Sequence, residues 1–152
     1  MDLKNADTEP IRAGEVKKGM VILLKGSPCK VVNISTSKTG KHGHAKANIT
    51  GLDIFTGKKY QDMSPTSHNM TKPIVTLKKY LLVDILDDGY TSLMDEETSE
   101  MVENIRLPTD KDPKPKLGNE IKTKFNNDKD LYITVTYAMN KEAITGYSEA
   151  TY

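Results

Sequence analysis

Residues 29–54 read CKVVNI, then STSKTGKHGHAK, then ANITGLDI. The runs 29–34 and 47–54 are short and rich in β-branched side chains, the composition that fits a pleated, half-buried strand. The polar middle, 35–46, holds Lys38, Lys41 and Lys46, with Gly40 and Gly43 flanking Lys41 and His42. Strands on both sides make this segment a hairpin connection whose tip falls near residues 40–43. Glycine there admits positive φ and leaves no neighbouring Cβ to crowd the lysine. The spacing predicts a long, flexible primary amine presented at an exposed tip.

Working outward, residues 20–24 (MVILL) read as a buried strand closed by a turn at 25–28, KGSP. Thr56 and Gly57 read as a turn into a strand over 58–63. These short runs, punctuated by Gly and Pro, predict a small all-β barrel. Residues 64–73 (SPTSHNMTKP) break the pattern with turn formers and read as the boundary between two domains. Beyond it, 80–86 (YLLVDIL), 90–94 and 101–107 read as three strands. A polar loop, PTDKDPKPK, covers 108–116. Leu117, Ile121 and Phe125, four apart, mark one face of a short helix. Strands over 131–137 (LYITVTY) and 144–149 complete a set that fits a five-stranded oligonucleotide-binding (OB) barrel. The predicted organisation is a flexible tail (1–15), a basic domain carrying the lysine loop (16–74) and an acidic domain (75–152).

The 152 residues include 36% hydrophobic and 28% charged types, enough for a lean core. The net charge of +1 hides an asymmetry: residues 1–74 carry 12 basic and 6 acidic groups, and residues 75–152 carry 10 and 15. A half at +6 joined to a half at −5 points to an anionic partner met mainly by the first half. No apolar run approaches the ~18 residues of a membrane span, and the N-terminus lacks the apolar stretch of a secretory signal. The single cysteine, Cys29, excludes an internal disulfide framework and any multi-cysteine metal site. A cytoplasmic location is the expectation.

Several chemistries fail on the residues themselves. A phosphate-binding P-loop needs glycine where Ser35 stands and Ser or Thr where His42 stands. Gly40-x-x-Gly43 has the spacing of the KH clamp, but that clamp joins helices and these flanks read as strands. His42-x-His44, with distant His68, lacks a companion carboxylate or thiolate, so no metal site is expected. Cys29 reads as a small strand residue, and Asp95-Glu96-Glu97 as a solvated turn. No catalytic constellation emerges. The residues alone leave two readings, a solvated basic hairpin or a nucleic-acid contact.

The loop STSKTGKHGHAK (35–46), followed by GLDIFTGKKY (51–60) and SPTSHNM (64–70), closely resembles the eukaryotic translation initiation factor 5A family, the hypusine-containing translation factors. Bacterial elongation factor P is the more distant counterpart. The likeness runs from about Val16 to Ala143 and includes PCKVV (28–32), DDGYTSLMD (87–95), IRLP (105–108) and LYITVTYAM (131–139). The N-terminal tail, the loop 110–116 and the ending 145–152 depart from the family pattern.

The resemblance implies an SH3-like barrel followed by an OB fold with one short helix. It implies that Lys41 is converted to hypusine: deoxyhypusine synthase moves the aminobutyl group of spermidine onto it, and deoxyhypusine hydroxylase oxidises the new arm. It further implies a factor with no bound cofactor that sits on the ribosome, against rRNA and ribosomal proteins, beside peptidyl-tRNA. There the arm promotes peptide-bond formation at stalled sequences such as polyproline and assists termination. Ser37, Lys38, Thr39, Gly40, His42, Gly43, His44 and Lys46 would form the modification and tRNA-contact loop. The factor is not itself an enzyme, and a weak homodimer is among its expected associations. The alternative is a generic, unmodified RNA-binding protein built from the same two barrels.

Overall fold

The computed structural model describes residues 6–38, 45–109 and 114–151. In the first part of the chain, Thr8–Arg12 form β1 and Ala13–Glu15 a 3-10 turn. Then follow β2 (Val21–Leu24), β3 (Ser27–Lys38), β4 (Ala45–Asp53), β5 (Lys59–Pro65) and β6 (Asn69–Pro73). Strands β2 to β5 form an antiparallel meander, and β1 pairs with β6 in a separate two-stranded sheet. Lys25 and Gly26, both at positive φ, make the two-residue turn from β2 to β3, the geometry whose twist matches paired strands.

Alternation on these strands buries Ile22, Leu24, Cys29, Val31, Ala47 and Ile49 in one cluster, joined by Ala13, Val16 and Met70. Gly51 is the close-approach point of this barrel. A Cβ there would lie 2.9 Å from the Cys29 Cβ and 3.0 Å from Leu24 Cδ1. A bulge between Val31 and Asn33 bends β3 where it leaves the core.

Two stretches depart from the sequence expectation. The flexible tail expected over 1–15 contains, among its described residues, the strand β1, with Ile11 opposite Met70 and packed on the core. The segment 64–73, expected as an interdomain boundary, supplies the end of β5 and all of β6. Its prolines, Pro65 and Pro73, stand at strand ends, where a missing N–H is tolerated. The chain divides into two compact units, the first running through Val75 and the second beginning at Thr76.

The second unit contains β7 (Thr76–Ile85), β8 (Tyr90–Met94), β9 (Met101–Arg106), α1 (Leu117–Asn126), β10 (Leu131–Ala138) and β11 (Lys141–Glu149). The sheet order is β11-β10-β7-β8-β9, and the sheet curls until its end strands approach one another. Leu82, Leu93, Ile105, Leu131, Ile133 and Val135 fill the interior. Helix α1 adds Leu117 and Ile121, with Phe125 packed at the margin, so the face read from four-residue spacing is the buried one. Gly118 lies so close to Pro108 that a Cβ would overlap the proline carbonyl. Inside the sheet the Tyr80 and Tyr137 hydroxyls share a buried 2.8 Å hydrogen bond. Burial, and then that bond, push the Tyr137 phenol well above its ordinary range.

The run Asp95-Glu96-Glu97, expected as a solvated face, is solvated only in part. Asp95 is buried; its Oδ1 accepts the Glu97 N–H at 2.9 Å, and its Oδ2 lies 2.7 Å from Lys78 Nζ. The carboxylate therefore organises the turn after β8.

Candidate functional site

Strands β3 and β4 pair from Cys29↔Asp53 out to Ser37↔Lys46 and Lys38↔Ala45. Sequence alone places the strands over 29–34 and 47–54; the ladder extends further because each strand satisfies the other's backbone groups. The base of this hairpin is clamped. The Ala45 carbonyl accepts the Thr66 N–H at 2.9 Å, and the Thr66 carbonyl accepts the Gly14 N–H at 3.0 Å. The segment between β5 and β6 thus ties the hairpin to the 3-10 turn.

Ser37, Lys38 and Lys46 sit together at the paired end of the hairpin, all exposed. Thr39, Gly40, Lys41, His42, Gly43 and His44 connect that end and lie outside the described residues. The structure brings the three outer members of the loop to one place, on strands anchored below by buried Ala47 and Ile49.

The remaining candidates behave as structural groups. Cys29 is fully buried, and desolvation, followed by the neighbouring Asp53 charge, pushes its thiol up to about 11. Asp53 Oδ1 accepts the N–H groups of Phe55 (2.7 Å) and Thr56 (2.9 Å), which shapes the turn into β5. No group of three or more His, Cys, Asp or Glu suited to a metal ion occurs among the described residues. No helix among them is long and apolar enough to cross a membrane.

One feature of this sheet escapes a linear reading. On the face away from the core, the register aligns four rows across β3, β4 and β5: Lys30–Leu52–Lys59, Asn33–Thr50–Gln61, Ser35–Asn48–Met63 and Ser37–Lys46–Pro65. None carries a carboxylate. The two acids on these strands, Asp53 and Asp62, belong to the alternate set. The signal was present as period-two alternation in KYQDMSP, but it needs the β3 bulge to be known before the rows line up.

A basic barrel carrying a long lysine hairpin, followed by an OB barrel, defines the two-barrel class of translation factors. The family described as "Translation initiation factor 5A-like, N-terminal" matches residues 6–68. The one described as "Eukaryotic elongation factor 5A hypusine, DNA-binding OB fold" matches residues 74–147. Eukaryotic translation initiation factor 5A-1 of Saccharomyces cerevisiae is 43% identical, over 98% of this chain and 90% of its own length. Eukaryotic translation initiation factor 5A-2 of Schizosaccharomyces pombe is 49% identical, over 89% of this chain and 76% of its own. Among solved structures, a translation initiation factor 5A family protein from Naegleria fowleri superposes with a TM-score of 0.83 at 45% identity, covering 93% of this chain and 98% of that one. The Methanococcus jannaschii factor superposes at 0.70 with 28% identity, covering 93% and 95%. The chain belongs to the translation initiation factor 5A family, and its two units are the SH3-like and OB domains of that fold.

Proposed function

We propose that this translation factor works on the ribosome through Lys41. The lysine receives the aminobutyl group of spermidine from deoxyhypusine synthase, and deoxyhypusine hydroxylase completes hypusine. The first barrel docks beside peptidyl-tRNA, and the lengthened arm, with its second cationic nitrogen, reaches the acceptor end. Peptide-bond formation then recovers at stalled sequences such as polyproline, and termination is assisted.

The observation that carries this reading is the clamped β3–β4 hairpin, paired to Lys38↔Ala45 and delivering residues 39–44, in a chain that matches the hypusine family. A paired and hydrogen-bonded base on either side of the modified lysine suits a positioning role. The ribosome performs the chemistry, and misplacement by about 1 Å can cost about a hundredfold in rate. Lys38 and Lys46 supply cationic contacts to phosphate at the hairpin end.

The test is a reconstituted eukaryotic translation system depleted of its own factor and programmed with a proline run. Chain modified at Lys41 should restore synthesis, whereas unmodified chain and Lys41→Arg should bind ribosomes and rescue poorly. Peptide mapping after incubation with synthase, NAD and labelled spermidine should place the label on Lys41. Equal rescue by modified and unmodified chain would return the protein to the generic RNA-binding alternative.

A further inference from the structure

We infer that Thr66 is a positioning residue for Lys41, acting through its backbone N–H: the corner between β5 and β6 braces the lysine hairpin at the strand end nearest its tip. The inference rests on the proposed modification of Lys41 and adds the residues that hold the hairpin ready for it.

Strand β4 begins at Ala45, four residues beyond Lys41. It pairs with β5 as far as Lys46↔Pro65, where the ladder meets a residue with no N–H to give. The next residue supplies the bond, for Thr66 donates its N–H to the Ala45 carbonyl at 2.9 Å. That bond ties β4 to its neighbour one residue nearer to Lys41 than the paired strands reach.

The corner is built to spare this N–H. Residues 65–68 form a β-turn closed by the His68 N–H on the Pro65 carbonyl at 3.0 Å, with Thr66 at its first central position. The turn leaves the Thr66 N–H for the hairpin. It is also held from the other side: Gly14 donates to the Thr66 carbonyl at 3.0 Å, and Ala13 to the His68 carbonyl at 2.9 Å. Glycine is what fits there, since a Cβ at residue 14 would lie 3.2 Å from both the Thr66 Cβ and the Thr66 carbonyl oxygen. Ala13 itself belongs to the buried cluster. A continuous path of backbone bonds therefore runs from the core through the 3-10 turn and the corner to Ala45. A strand end fixed before docking gives up less freedom when the modifying enzyme takes in the lysine, so the brace lowers KM. Once the amine is seated, the enzyme holds it, and kcat is independent of the brace.

The experiment uses the full-length unmodified chain as substrate for deoxyhypusine synthase, with NAD and labelled spermidine, and reads KM and kcat separately. Proline suits the first central position of such a turn, and Pro65 before it ends a strand, so Thr66→Pro keeps the turn and removes the N–H. It should raise KM about fivefold, the worth of one net hydrogen bond, and leave kcat unchanged. Thr66→Ala and Thr66→Ser retain the N–H and should match wild type. Gly14→Val keeps every N–H but crowds Thr66, and should also raise KM. It carries the comparison if Thr66→Pro melts below the assay temperature. The Thr66 amide of the wild-type chain should exchange slowly with solvent. An unchanged KM in folded Thr66→Pro overturns the inference, as does exchange of the wild-type Thr66 amide at the rate of an unstructured one. Equal rises in KM for Thr66→Ala and Thr66→Pro overturn it too, by assigning the effect to the side chain. Wild-type chain left unlabelled at Lys41 would remove the proposed modification, and this inference with it.

Discussion

Tyr80 and Tyr137 show how a buried polar pair acts in the second barrel. Each hydroxyl sits in an apolar interior, and each answers the other at 2.8 Å. Tyr80→Phe or Tyr137→Phe removes one partner and strands the other, a loss of about 1–3 kcal/mol for an unsatisfied buried group. Removing both leaves no orphan, so the double variant should lose less than the sum of the two singles. Urea denaturation of the four proteins measures this coupling; strict additivity would show that the hydroxyls do not depend on each other. A linear reading finds both tyrosines on strands but not the bond, because partners 57 residues apart meet only through the β7–β10 register.

At the scale of elements, the strands that sequence alone locates are those carrying their own apolar alternation. LYITVTY became β10, and TSLM lies within β8 with Thr91 and Leu93 inside. β1 and β6 escaped because TEPIR and NMTKP are polar and contain proline, and each is a strand only by virtue of the other. Hairpin β10–β11 escaped in part because Met139 and Asn140 occupy its positive-φ turn without the glycine that usually announces one. The hairpin bearing Ser37, Lys38 and Lys46 was legible from its flanks, whereas its ladder length and outward rows were not.

The turn after β8 makes a prediction at the same scale. The Lys78 ammonium, and next the Glu97 N–H, hold the Asp95 carboxyl below its usual range. A depressed folded pKa contributes stability that is present above the unfolded value and is lost as pH falls through the folded one. Thermal melting of the second unit should therefore decline on acidification below about pH 4, the ordinary carboxyl range. Asp95→Asn should melt lower at neutral pH and show a shallower acid decline. Identical acid profiles for the two proteins would remove Asp95 from this role.

For the whole molecule, the charge asymmetry and the division at Val75 and Thr76 describe two units with separate interiors. Fragments 1–75 and 76–152 should each give a dispersed amide spectrum, because each holds a complete strand set. Deleting residues 1–12 should lower the melting temperature of the first unit, because β6 then loses its ladder partner and the cluster loses Ile11. A first unit indifferent to that deletion would make β1 ornamental.

Pairing of β1 with β6 also orders events in time. Thr8 meets Pro73, so the first strand to leave the ribosome is among the last to find its partner. At roughly 5–20 residues per second, the interval is about 3–13 s. The β3–β4 hairpin pairs neighbours in sequence and has no such wait. A newborn chain therefore passes through a stage with the lysine hairpin's strands synthesised while the barrel beneath them still lacks its closing seam.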